Sequence, residues 1–207
     1  MKTFLYDFVT FFVVIDPVGT AVVFASMTTQ ANETQRRQMA RHATGIAGLI
    51  LLAFAFLGGT LLAALGISLP AFRVAGGLML FLLAVDMVFA RPSAQKNLTA
   101  AEDQEAMQRG DITVFPIAFP LIAGPGAMTS VILLVGRAEG QPWSIFGMIA
   151  VLALVLLVTL GLLLVAGRLL RLLGLTGSNV VGRVLGIILA ALAVQLVIDG
   201  LLQSFHL

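Results

Sequence analysis

An apolar stretch that cannot form one continuous helix, residues 115–130, constrains this chain more than any other feature. It carries Pro116, Pro120 and Pro125, with Gly124 and Gly126 on either side of the last proline. An interior proline removes a backbone donor and clashes with the carbonyl four residues earlier, at a cost of about 3 kcal/mol. In hydrocarbon the freed groups need other partners, so interrupted backbone at membrane depth is buried in protein or lines a wet cavity. A second interruption, Asp16-Pro17-Val18-Gly19-Thr20, lies almost as far into an earlier apolar run. Two interruptions in matching places point to a transporter's binding site.

Composition places both interruptions in lipid. Hydrophobic residues make up 59% of the 207 and charged residues only 11%, where soluble domains carry about 25% charged. The apolar residues fall in runs of about 20 or more, enough to cross the roughly 30 Å hydrocarbon layer. The expectation is a single all-α transmembrane domain spanning 1–207, in a lipid bilayer. Nucleic-acid binding is unsupported, because no basic patch with interleaved aromatics occurs. With no cysteine, thiol chemistry and disulfides are excluded. Asp16 and Pro17 interrupt the first apolar run and no small-residue cleavage site follows, so that run reads as a retained span rather than a signal peptide.

Six spans follow in order, at about 4–29, 43–65, 71–90, 112–135, 143–166 and 180–202, the first and fourth broken near their middles. Residues 30–42 read as a polar loop, 66–70 as a tight turn, 91–111 as a long hydrophilic linker and 174–179 as a turn. Placing the first loop in the cytoplasm puts nine of the twelve basic residues there, leaving Lys2, Arg73 and Arg137 outside. By the distribution of Lys and Arg both termini lie outside.

The two halves, about 1–90 and 112–207, can be superposed in sequence. Asp16-Pro17 falls on Gly124-Pro125 and Gly66-Ile67-Ser68 on Gly174-Leu175-Thr176, both at an offset of 108. Arg73-Val74-Ala75-Gly76 falls on Arg183-Val184-Leu185-Gly186 at 110. Three spans per half is an odd number, so the expected architecture is a 3+3 inverted-topology repeat.

The residues at the breaks suggest a site. After Pro17 and after Pro125 a half-helix begins with unpaired amide donors and the positive end of its dipole, which favour a carboxylate. Gly19, Gly124 and Gly126 permit close backbone approach, and Thr20, Thr129 and Ser130 add hydroxyls. The plainer reading is a pair of kinked helices packed for contact. Asp16 has two compatible roles, an N-cap for the half-helix and a mid-span carboxylate that binds a substrate ammonium or a coupling proton or cation. Gln195 reads as pore-facing. Asp86 and Asp199 lie toward span ends at headgroup depth, and Arg73 and Arg183 near span starts, where they snorkel or gate the two mouths by pairing with Asp199 or Asp86. His42 and His206 have no second ligand at metal spacing, and no cofactor or metal is expected. The pairs Gly58-Gly59 and Gly76-Gly77 allow tight packing, including between copies in a homo-oligomer. An intramembrane enzyme needs a paired nucleophile and base, which the spans lack, and no nucleotide-binding loop occurs.

Several of these motifs, in this order, resemble the MarC/SnatA family of bacterial and archaeal inner-membrane proteins, related to the LysE-type exporters. The resemblance rests on Asp16-Pro17-Val18-Gly19, on Arg73-Val74-Ala75-Gly76-Gly77 with Leu80-Phe81-Leu82, and on residues 115–126. It extends through Gly186-Ile187-Ile188-Leu189-Ala190-Ala191, Ala193-Val194-Gln195 and Ile198-Asp199-Gly200. One departure is that Gly19-Thr20-Ala21-Val22 stands where the family usually has Gly-Asn-x-Pro. The resemblance implies a secondary transporter of a small neutral amino acid, of the glycine or alanine type, in the inner membrane. In that reading the two halves rock about a midplane site. The alternative is a channel or exporter for another small solute or toxic metabolite.

Overall fold

A computed structural model of the chain describes residues 2–29, 31–90, 113–138 and 141–205; the linker expected at 91–111, with Arg91, Lys96 and Arg109, lies outside them. The described residues form helices and no strand. In order they are α1 (Lys2–Ile15), α2 (Pro17–Met27), α3 (Glu33–Ala64), α4 (Leu69–Val88), a π-helical segment Thr113–Ile122, α5 (Pro125–Arg137), α6 (Pro142–Leu164) and α7 (Ala166–Ser204). Five stretches are long and apolar enough to cross a membrane: Thr3–Met27, Glu33–Ala64, Leu69–Val88, Pro142–Leu164 and Thr176–Ser204. The pair Thr113–Ile122 and Pro125–Arg137, bent by 54° at its break, makes a sixth.

The two interruptions differ in degree. The first leaves Thr3–Met27 close enough to straight to count as one helix of 25 residues. The second turns the chain sharply, and the coil before it is irregular. Phe115 (φ −127°, ψ 123°) and Phe119 (φ −134°, ψ 128°) are extended, because a following proline pushes its predecessor out of the helical region. The peptide bonds Phe115–Pro116 and Phe119–Pro120 are cis.

One expected loop is corrected. Residues 33–42 are helical: Asn32 accepts from the Gln35 amide at 2.8 Å while its own amide donates to the Gln35 side chain at 3.1 Å, a complete capping box. Polarity there reflects a helix projecting beyond the bilayer, since α3's 32 residues span about 48 Å against about 30 Å of hydrocarbon. The turn expected at 174–179 is present but shorter: Gly174 (φ 62°, ψ −177°) breaks α7 at a kink, and the last span starts just after it, at Thr176. The turn at 66–70 is as expected. Gly66 takes φ 68°, the Ile67 amide reaches back to Leu62 O at 2.9 Å, and Ser68 caps α4 through the Ala71 amide, a left-handed stop followed by a fresh N-cap.

Glycines set the closest packing. α4 and α7 lie antiparallel: a Cβ on Gly77 would sit 2.9 Å from Ala193 O, one on Gly186 2.9 Å from Met87 Cβ, and one on Gly200 2.9 Å from Pro70 O. Small residues that let backbones approach are how helices associate in lipid. α4 also packs on α5, where Gly76 accepts the Thr129 methyl and Gly126 accepts Leu80. The main contacts run between the chain's halves: α3 packs on α5, α6 and Thr113–Ile122, while α1 and α2 pack on α6 and α7. Around this buried core the outward faces carry Leu49, Phe56, Leu57, Trp143, Phe146 and Leu157, each more than half exposed. Such a continuous apolar exterior is a lipid-facing surface.

Candidate functional site

The first interruption closes on itself. Asp16 sits in the left-handed region (φ 51°, ψ 68°), which Asp tolerates better than most residues. In an unbroken helix the Gly19 amide would donate to Ile15 O; here it donates to Asp16 Oδ1 at 3.0 Å. Ile15 O is taken instead by the Thr20 hydroxyl at 3.1 Å, and the ladder resumes with Thr20 N to Asp16 O at 2.9 Å. A Cβ on Gly19 would collide with the Asp16 carboxylate. Asp16, Pro17, Gly19 and Thr20 thus form one locally satisfied cap, and the positive end of α2 already faces a carboxylate from its own chain.

The second interruption stays open. Gly124 is the N-cap of α5 and has no side chain to offer, and Pro125 has no amide. The regular bonding starts at Met128 N to Gly124 O. That leaves the Gly126 and Ala127 amides among the orphan donors of a helix start. They border a pocket lined by Val14, Leu83, Pro120 and residues 124–127. Its volume of about 10 Å³ is room for about one water. Gly124 is required by sterics, since a Cβ would lie 2.5 Å from Pro120 O, and Gly126 leaves room for the Leu80 side chain, which a Cβ would approach to 2.9 Å. Asp16, Gly19 and Thr20 do not line this pocket, although Val14, two residues before Asp16, packs on Gly126 and holds the two breaks at the same level of the bundle.

From the pocket a series of buried polar groups leads to one end of the bundle. α1 runs antiparallel to α5, with Val14 against Gly126 and Tyr6 beneath the Arg137 guanidinium at 4.7 Å. By that register Thr10 stands level with Ser130. Both hydroxyls are buried and without a hydrogen-bond partner. Thr129, also buried, turns its methyl to Gly76. One turn further out lies Arg73, 4% exposed, its Nε unpartnered, with Arg137, Asp199 and Tyr6 as its electrostatic neighbours. Asp7, likewise buried, faces Arg137. At the rim Arg137 pairs with Asp199 at 3.1 Å, and Gln195 holds the other Asp199 oxygen at 2.7 Å.

Over residues 1–205 the sequence matches the family described as MarC family integral membrane protein. The chain belongs to the MarC family. Among similar proteins is the UPF0056 membrane protein YhcE of Escherichia coli K12, 35% identical over 198 residues that cover 96% of this chain and 91% of the relative. A UPF0056 membrane protein of Archaeoglobus fulgidus is 34% identical over 206 residues, 99% of this chain and 94% of that one. YvbG of Bacillus subtilis is 32% identical over 204 residues, 97% and 95%. No solved structure matches the chain.

In this MarC-family chain the remaining expected residues are dispersed. Gln195 is exposed on α7 and belongs to the rim with Asp199, away from the breaks. Asp86 is half-buried near the end of α4 and Arg183 exposed on α7, with no ion pair between them. Asp199 pairs with Arg137 rather than with Arg73. Sequence reasoning passed over Asp7, Thr10 and Arg137. The available signal was a carboxylate and a hydroxyl within the first apolar run, three residues apart and therefore on one helix face. Gly58, Gly76 and Gly77 use their small surfaces inside the chain, against Ile132, Thr129 and Val197, while Gly59 has nothing near it.

Proposed function

We propose that this MarC-family membrane protein is a secondary carrier for a small neutral amino acid of the glycine or alanine type. Its substrate carboxylate docks on the open start of α5. The observation that carries this reading is the contrast between the breaks: α2 is capped by Asp16, whereas α5 offers uncapped amides to a buried pocket. An anion at a helix N-terminus is favoured by free donors and dipole together. Thr10, Thr129 and Ser130, one turn further out, supply hydroxyls for the substrate's polar atoms, and the charged rim around Arg73, Arg137 and Asp199 is its outer gate. A pocket of about 10 Å³ is smaller than any amino acid, which fits a carrier in an occluded conformation better than an open pore.

The interleaving of the halves argues for a different motion from rocking one half against the other. α4 and α7, the tightly joined antiparallel pair, are the natural moving panel. The other spans form the frame. The Arg137–Asp199 pair, with Arg137 on α5 and Asp199 on α7, bridges panel and frame. We assign the protein to the cytoplasmic (inner) membrane with both termini outside, and assign it no enzymatic step.

Purified protein in vesicles loaded with unlabelled glycine, alanine, serine or threonine tests this. A carrier gives saturable counterflow of the labelled amino acid. Flux that rises linearly with concentration and ignores internal substrate supports the channel reading instead. For proton coupling, Asp16→Asn keeps an acceptor for the Gly19 amide but cannot ionise. Unchanged uptake and an unchanged pH response of uptake would confine Asp16 to its capping role.

A further inference from the structure

The opposite end of the bundle holds a second and larger cavity. It lies where α2 and α6 end and α3 and α7 begin, and its volume is about 310 Å³, many times that of the pocket at the start of α5. Among the described residues five arginines line it, Arg36, Arg37, Arg41, Arg168 and Arg171, against a single carboxylate, Glu33. Among the described residues Glu33 pairs with Arg37 alone, at 3.7 Å and on an exposed surface, and the other four arginines have no carboxylate partner among them. Arg36 is held in place: its Nε donates to Thr28 O at 2.8 Å, and its guanidinium lies against Gly167, where a Cβ would come within 3.3 Å of Nη1. Arg171 donates to Gly167 O at 3.3 Å. The start of α7 forms part of the wall, and it has no side-chain cap and no acidic residue in its first turn. Orphan amides and converging guanidinium groups together make an anion site with the fork geometry that phosphate oxygens accept.

We propose that this cavity binds the phosphate headgroup of an anionic phospholipid, independently of what the protein transports. The chemistry of the wall is that of a lipid rather than of a free anion. Beside the arginines stand Leu163, Leu164 and Val165, the last two 40% and 41% exposed, so an acyl chain can continue along α6 from a headgroup held by the arginines. The cavity also sits at the ends of two spans, the depth at which lipid phosphates lie, and basic pockets between transmembrane helices are where such headgroups bind.

Delipidated full-length protein in detergent gives the test. Phosphatidylglycerol at about a hundredfold excess over its Kd should raise Tm by roughly 5 °C or more, whereas phosphatidylcholine should not. The double variant Arg168→Gln with Arg171→Gln, both on exposed side chains, should abolish that shift, while Arg183→Gln, outside the cavity, should keep it. Native mass spectrometry of the unmodified protein should retain one or two phosphatidylglycerol molecules in preference to phosphatidylcholine. Equal shifts for the two lipids, or equal losses in the double variant and Arg183→Gln, would overturn the site. A full shift from inorganic phosphate alone would overturn the lipid assignment.

Discussion

At the residue scale, Asp16 and Ser130 represent two kinds of buried polar group. Asp16 is satisfied: its carboxylate replaces the backbone acceptor that the Gly19 amide lost. Asp16→Ala leaves that amide without its acceptor and is expected to cost about 1–2 kcal/mol of stability, whereas Asp16→Asn should cost little; thermal unfolding of the purified variants compares them. Ser130 is the reverse, a buried hydroxyl with no partner. Groups like this destabilise the protein that carries them unless something else meets them. The first break was legible in the sequence because Asp-Pro-x-Gly is local chemistry, an N-cap, an N1 proline and a residue whose missing Cβ makes room. What the sequence did not disclose is that the cap saturates itself through Thr20, since Thr20 and Ile15 meet only once the chain bends.

Among the elements, α4 and α7 join through Gly77, Gly186 and Gly200, and the close packing of their backbones lets the pair move as a unit. A methyl at Gly77 would press on Ala193 O and Val197, so Gly77→Ala is expected to destabilise by about 1–3 kcal/mol. Gly59→Ala, with nothing within 4 Å, should leave stability unchanged or raise it by up to about 1 kcal/mol; chemical denaturation in micelles distinguishes the two. The spans themselves were readable from run length and proline placement. The start of α3 was not, because residues 33–42, eight of them polar, look like a loop until the Asn32–Gln35 capping box and the Glu33–Arg37 spacing are given more weight than hydropathy. Polarity there marks the end of the bilayer, not the end of the helix.

Over the whole molecule, two charged assemblies occupy opposite ends, and between them lies a buried middle whose polar groups include Asp16, Thr20, Thr129, Ser130 and the start of α5. One is the Asp7, Arg73, Arg137 and Asp199 rim, the other the arginine-lined cavity. Arg137 and Asp199 are 62 positions apart, and nothing local in either sequence neighbourhood announces the pairing. Halves that could be laid over one another along the sequence pack into each other in space, which is invisible to a spacing argument. If the pair gates the outer mouth, Arg137→Asp should slow amino-acid counterflow about tenfold or more, a change of about 1.4 kcal/mol in barrier. Combining it with Asp199→Arg should restore most of the rate, because the pair is remade with its charges exchanged. Transport assays on the single and double variants check this, and a double variant no better than the single removes the gate.

The most direct test of the open α5 start as the binding point is alanine counterflow by Ser130→Ala in proteoliposomes, measured beside its Tm. Removing an unpartnered buried hydroxyl should leave Tm unchanged or raised. The account predicts that transport nonetheless falls about tenfold, through loss of one substrate hydrogen bond of about 1.5 kcal/mol. Saturable transport at the rate of the unmodified protein would contradict it.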